Sequence, residues 1–311
     1  MTHDRDPSIE DILDALADTG SFGSIEEAER EMAKRVREYN ARPQAELGGL
    51  SPETMIQLLY GDWKSDGALR LEERLTLDDL AGAAMLIDAR TLLEYFETEG
   101  PVKETAAHYL PRAVVKSLLP RLSTPRDMRI SRNERPAPPV NEADVPWLPD
   151  LRDALLFGKL LVRRKGLRVT PLGRALRSPD RAGELYAHIF RTFFRVLDLR
   201  VLDNSDRHPG LQASIGYSLY KLGSVARRWK SAQDLAVEAW LESAKDPPIG
   251  EDMGFEDLRF YTFQHRLLDP LVQFGLLDIR SVPHKRDGWT DSEYRCTPLF
   301  SRFLRFEFRR L

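Results

Sequence analysis

A short phrase with threonine at its fourth position occurs three times in this chain and constrains the fold more than any other feature. The copies run from Val102 to Ala106, from Leu167 to Pro171 and from Tyr294 to Pro298. A glycine or a polar turn comes shortly before each copy, and a short run with helical character follows it. Because threonine is a common helix N-cap, the sequence predicts three places at which a strand passes directly into a helix.

The composition is typical of a folded protein with two or three domains. The 311 residues are 42% hydrophobic and 31% charged, so separate cores can form and disorder is not expected. Every apolar stretch is shorter than the ~20 residues that span a bilayer, and the N-terminus lacks the features of a secretory signal. Cys296 is the only cysteine, which excludes an intrachain disulfide and a cysteine-based zinc site. We expect a cytoplasmic protein with no membrane partner.

Glycine, proline and serine signals predict five segments. Gly48 and Gly49 precede a strong helix start at Ser51-Pro52-Glu53, and a Pro- and Arg-rich stretch begins after Leu122. Further helix starts are predicted at Ser24 and Ser231, and amphipathic spacing predicts a helix over residues 8–18. The segments are a helical N-terminal arm (1–47), a first unit (48–122), a connector (123–150), a compressed second unit plus a helix (151–205) and a third unit (206–311).

The segment after the second threonine phrase resembles a known class of regulators. Val169–Leu176 reads V-T-P-L-G-R-A-L, which resembles the strand, L-T-x-x-G-R, helix segment that follows the wing in MarR- and PadR-like winged-helix regulators. Leu50–Tyr60 is similar to the opening of a group of bacterial proteins that combine it with such units. The resemblance implies a mainly α fold with small β-hairpins, arranged as tandem winged-helix-like units. In DNA-binding members the third helix enters the major groove and the wing contacts the backbone.

The candidate nucleic-acid-binding residues are cations on the second and third predicted hairpins. Guanidinium and ammonium groups bind phosphate oxygens, so clustered cations on a tight hairpin favour contact with a nucleic-acid backbone. The helix from Leu151 to Leu161 has few cations and no Asn, Gln or Ser, which predicts weak reading of base edges. A net charge of -3 leaves room for a local basic patch only. The six residues are Arg163, Arg164, Lys165, Arg168, Lys285 and Arg286.

Two functions follow from this pattern. The first is a DNA-associated regulator or accessory protein with weak sequence readout, bound through the wing of the second unit. The alternative is a protein-interaction scaffold in which the winged helices are only structural, with a protein partner or a second copy of the chain as ligand. Four connector arginines spaced three residues apart could follow a phosphate backbone, contact an acidic partner or simply be solvated: Arg126, Arg129, Arg132 and Arg135.

Signals for catalysis are weak. The loop Asp203–His208 combines carboxylates, a hydroxyl and an imidazole, which fits an ordinary turn better than a cation site or a base. The chain has no phosphate-binding Gly loop, no nucleophile elbow and no dinucleotide fingerprint. We expect no enzyme activity, metal or cofactor. The phenylalanines at 190, 193, 194, 300, 303, 306 and 308 are expected mostly in a core, with some at a dimer interface.

Overall fold

The computed structural model describes residues 24–64, 67–123, 141–145, 147–244, 259–283 and 290–308. The chain is mainly helical with small antiparallel sheets, which confirms the predicted fold class at that level. It divides into two compact units, a smaller one within residues 1–69 and 306–311 and a larger one from Arg70 to Arg305. The finer division into five segments stays a prediction, and the helix predicted at 8–18 lies outside the described residues. None of the described helices is long and apolar enough to cross a membrane.

Serine caps begin both described helices of the smaller unit, as the sequence predicts. The helices are α1 (Ile25–Ala41) and α2 (Pro52–Tyr60), with a 3-10 turn at Ala45–Leu47 between them. The Ser24 hydroxyl accepts a hydrogen bond from the N–H of Glu27 at 3.2 Å, and Ser51 does the same for Thr54 at 3.2 Å. Helix α1 contacts α2 but has no fully buried residue.

Strand β1 (Leu69–Leu71) precedes a first series of elements in the larger unit. In chain order the series is α3 (Ala84–Thr98), the single residue Val102, α4 (Arg112–Leu118) with a 3-10 turn at Leu119–Arg121, a 3-10 turn at Glu142–Asp144, α5 (Leu148–Phe157), β2 (Leu161–Arg163) and β3 (Leu167–Val169). Strands β2 and β3 form the predicted antiparallel hairpin. Val102 pairs antiparallel with Leu167, so the order across this ladder is Val102, β3, β2.

A helical region follows the hairpin and forms the centre of the core. Its elements are α6 (Pro171–Leu176), a 3-10 turn at Pro179–Arg181, α7 (Ala182–Arg195), a 3-10 turn at Leu199–Leu202 and the short α8 (Gly210–Ala213). Helix α7 is buried along most of its length, and its aromatic side chains pack against Phe274 and Phe303. Ring centroids of Tyr186 and Phe303 lie 4.5 Å apart, and those of Phe190 and Phe274 lie 5.0 Å apart. The prediction that these rings form a core is confirmed.

The second series repeats the order of the first. It consists of α9 (Ile215–Val225), β4 (Lys230–Ser231), α10 (Ala232–Ala239), a 3-10 turn at Glu242–Ala244, α11 (Arg259–Phe263), a π-helical turn (Gln264–Leu268), α12 (Asp269–Gln273), β5 (Leu277–Pro283) and β6 (Thr290–Cys296), followed by α13 (Pro298–Phe303) and β7 (Leu304–Phe306). The sheet order is β4, β6, β5, so the first strand again lies beside the last. Strand β7 pairs with β1.

The first threonine phrase does not close a hairpin, so this part of the predicted repeat is wrong. Thr170 and Thr297 each precede a helix directly, and the Thr170 hydroxyl caps α6 through the N–H of Gly173 at 3.0 Å. The Thr105 hydroxyl instead accepts from the N–H of Tyr109 in a turn, and the next helix begins only at Arg112. The reason is the long-range pairing of Val102 with Leu167, which joins residues of the predicted first and second units in one ladder.

Candidate nucleic-acid interface

The β2–β3 hairpin separates an apolar face from a charged one. The register pairs Leu161 with Val169 and Val162 with Arg168, and opposite residues of an antiparallel pair share a face. Leu161, Leu167 and Val169 are buried, whereas Val162 and Arg168 are exposed. The strand alternation therefore anchors the hairpin on the core and directs Arg168 to solvent.

Glycine at position 166 fixes the tip of this hairpin close to its neighbouring strand. Gly166 has φ +110°, which residues with a side chain rarely adopt, and Lys165 before it has φ +56°. A Cβ atom at residue 166 would lie 2.9 Å from the carbonyl oxygen of Val102. The close approach places Lys103, one residue beyond the bridge, next to the tip.

The cations of the tip differ in whether an acid already binds them. The Arg163 guanidinium donates to both carboxylate oxygens of Glu104, at 2.9 and 3.2 Å. Arg163, which the sequence predicts to contact phosphate, is therefore held in an internal ion pair. Arg164, Lys165 and Arg168 are exposed and form no ion pair with the residues that the structure describes. Lys103 is also exposed and lacks such a pair within the described ranges.

Sequence reasoning missed Lys103 because it assigned this lysine to a separate unit. The single β-prone residue before it, Val102, does not indicate which strand it pairs with, so the sequence has no signal that places Lys103 beside the hairpin. The pairing of Val102 with Leu167 thus adds Lys103 to Arg164, Lys165 and Arg168, the three predicted cations that form no ion pair with the described residues.

A buried charge network lies behind the hairpin. The Arg152 guanidinium donates to Glu142 at 2.8 Å and to the His108 carbonyl at 2.8 Å, and Glu142 also accepts from the N–H of Leu110 at 2.6 Å. The Glu142 side chain is fully buried, and this burial raises its pKa. Glu104 lies 3.7 Å from Arg152, so the network reaches the acid that holds Arg163. The network fixes the segments on which the hairpin rests.

Helix α5, which precedes the hairpin, has little to offer to base edges. Its Arg152 is buried, and the charged side chains that remain on it are Asp150 and Asp153. Burial, together with repulsion from Asp153, raises the pKa of Asp150 to about 6. Acids on this helix repel phosphate, which agrees with the predicted lack of base readout.

The corresponding helix of the second series, from Arg259 to Gln273, is also mostly covered. Arg266 is 2% exposed and donates to both carboxylate oxygens of Asp203, at 2.7 and 2.9 Å. The same guanidinium donates to the Arg207 carbonyl at 2.8 Å, so it holds the Asp203–His208 loop. The described residues contain no group of three His, Cys, Asp or Glu side chains that could bind a metal.

Lys285 and Arg286 lie outside the described residues, as do the connector arginines at 126, 129, 132 and 135, and these predictions stay open.

On the described part of the β5–β6 hairpin, Arg280 pairs with Glu293 and Arg295 with Asp278. Both guanidinium groups lie 4.6 Å from the centre of the Trp229 ring. These two cations are therefore already neutralised and stacked.

Comparison with known proteins identified no relative. No protein-family model, curated protein or solved structure matches the chain.

Proposed function

We propose that the larger unit contains two winged-helix-like domains, from Ala84 to Val169 and from Ile215 to Cys296. The support is the order of elements, which in both series is helix, β-paired segment, helix, helix, strand, strand; the paired segment is the single residue Val102 in the first series and β4 in the second. In both ladders the first strand lies beside the last, as a winged helix requires. The proposal therefore has two winged-helix-like domains, where the threonine phrases predict three.

We infer further that the chain associates with nucleic acid, most simply duplex DNA, through the first of these hairpins. The observation that carries this proposal is a set of exposed cations at one hairpin tip that form no ion pair with the described residues: Lys103, Arg164, Lys165 and Arg168. Phosphate is the ligand that such a cluster fits, because each contact releases a condensed counterion from the duplex. If the three cations of the hairpin itself each contact a phosphate, they account for about a 500-fold rise in affinity between 1 M and 0.1 M salt.

The proposed binding is insensitive to sequence. Base readout needs polar side chains on a helix that enters the groove, and α5 presents Asp150 and Asp153 while its Arg152 is buried. Duplexes of different sequence and equal length should therefore bind with Kd values within about threefold of one another.

The experiment is fluorescence anisotropy with a labelled random duplex at 0.1 M salt. The variant Arg164→Ala/Lys165→Ala/Arg168→Ala is compared with a control that removes three exposed cations elsewhere, Lys116→Ala/Arg207→Ala/Arg228→Ala. Both variants lose the same charge. The proposal predicts that the first loses most of the binding and the second little, and equal losses would contradict it.

A protein-interaction scaffold is the second candidate, and one observation favours it. Both helices that precede a hairpin are largely covered within the larger unit, and each holds its buried arginine in an internal ion pair, Arg152 with Glu142 and Arg266 with Asp203. Wild-type protein that fails to bind duplex even at low salt would exclude the nucleic-acid proposal and leave the scaffold.

A further inference from the structure

Helix α1 of the smaller unit has an apolar stripe that the described residues leave open. Ile25, Met32 and Val36 are 77%, 46% and 44% exposed. At 100° per residue these three positions fall within about 40° of arc, so they form one line along the helix. Four of the five half-covered positions of α1, among them Ala28, lie to one side of this line, and Asn40 lies to the other. On an ordinary solvated helix, polar residues occupy exposed positions such as those of Ile25, Met32 and Val36.

The charges of α1 are separated along its length. Residues 25–32 contain four glutamates and one arginine, whereas residues 33–41 contain three cations and one glutamate. A second helix of the same sequence, placed antiparallel, brings its basic half against the acidic half of the first. The reverse contact forms at the other end, because a two-fold axis makes each contact twice.

We propose that α1 is a dimerisation helix, and that its partner is the α1 helix of a second copy of this chain in antiparallel orientation. With the axis near Met32, the exposed Ile25 of one copy lies level with Tyr39 of the other. On the open side of the stripe, Glu29 and Glu26 lie at about 40° and 100° from Ile25, and Arg37 lies at about 120°. Arg37 of one copy then comes level with residue 27 of the other, between its Glu26 and Glu29. Apolar contact along the stripe supplies the attraction, and the charge pattern selects the antiparallel orientation over the parallel one. A parallel pair places glutamates against glutamates.

The proposal is independent of nucleic-acid binding. It concerns α1 alone, and the oligomeric state is measured without any nucleic acid. A dimer would carry two copies of every hairpin, but a failure of either proposal leaves the other standing.

The test uses full-length protein and two variants with opposite charge patterns. Glu26→Lys/Glu29→Lys makes the open flank of the stripe basic, and Arg30→Glu/Arg37→Glu makes the same flank acidic. Sedimentation equilibrium should give twice 35.7 kDa for the wild type and a Kd raised about tenfold or more for each variant alone. An equimolar mixture of the two variants should recover the dimer. Helical circular dichroism serves as the check that each variant is folded.

A second pair of variants tests the apolar stripe. Met32→Lys/Val36→Lys should abolish the dimer, whereas Val237→Lys, at a residue that is 70% exposed in the larger unit, should not. A wild-type protein of 35.7 kDa throughout the micromolar range overturns the proposal. So does a dimer that the charge variants and their mixture leave unchanged.

Discussion

Replacing Arg152 by methionine tests the buried network that supports the hairpin. The substitution keeps most of the side-chain volume and removes the charge. Glu142, which is fully buried, loses its ion pair at 2.8 Å and keeps the hydrogen bond from Leu110. An unpaired buried charge costs about 3–5 kcal/mol, and we expect the free energy of unfolding at pH 7.5 to fall by that amount. Arg163→Met, at a side chain that is 47% exposed, should cost less than about 1 kcal/mol.

The pH dependence distinguishes this mechanism from a simple packing defect. The pKa of Glu142 is already raised by burial, and loss of Arg152 raises it further. A folded-state pKa above the unfolded value means that the folded protein binds the extra proton, so the stability of the variant decreases as pH rises from about 4.5. The cost of Arg152→Met should therefore be smaller at pH 5 than at pH 7.5.

The assay is urea denaturation at these two pH values. The double variant Glu142→Gln/Arg152→Met should recover a large part of the loss at pH 7.5, because no charge remains buried. Equal costs at both pH values would refute the reasoning, and so would a double variant that is no more stable than Arg152→Met alone.

Three further predictions concern the larger unit. Asp150→Asn should raise the free energy of unfolding by up to about 3 kcal/mol above pH 6 and by little near pH 4, which thermal melts at both pH values check. The reason is that the pKa of Asp150 is raised to about 6, so its ionisation opposes folding as pH rises from about 4 to about 6. Burial raises the pKa of the Cys296 thiol to about 12, so the thiolate fraction at pH 8 falls and a thiol reagent should label the folded protein about 1,000-fold more slowly than the denatured one. Gly183→Ala should cost about 2–3 kcal/mol in urea denaturation, because the new Cβ overlaps the carbonyl oxygen of Glu73. Gly82→Ala is the control, because its Cβ meets nothing within 4 Å, and it should cost less than about 1 kcal/mol.

Local features of the fold could be predicted from the sequence. The helix starts at Ser24, Ser51 and Ser231 and the hairpin turn at Gly166 all agree with the structure, because the groups that stabilise a cap or a tight turn lie within a few residues of one another. The fold class followed from these elements. The position of Val102 did not, because its partner Leu167 is far along the chain and a single strand residue carries no pairing information.

Candidate site residues were harder to predict for the same reason. Arg163 resembles its neighbours in sequence, but Glu104, which binds it, comes 59 residues earlier. Arg152 and Arg266 likewise read as surface cations on amphipathic helices, and both are buried against acids from other segments. Composition reveals how many cations a segment has, whereas only the fold reveals which of them are free to bind a ligand.

The salt dependence of duplex binding tests the central claim most directly. If Arg164, Lys165 and Arg168 each contact a phosphate, the plot of log K against log salt concentration should be about 2.7 less steep for their triple alanine variant than for the wild type. The scattered triple variant at Lys116, Arg207 and Arg228 should keep the wild-type slope. Equal slopes for wild type and hairpin variant would contradict the account, because the cations of the β2–β3 hairpin would then not be the groups that hold the backbone.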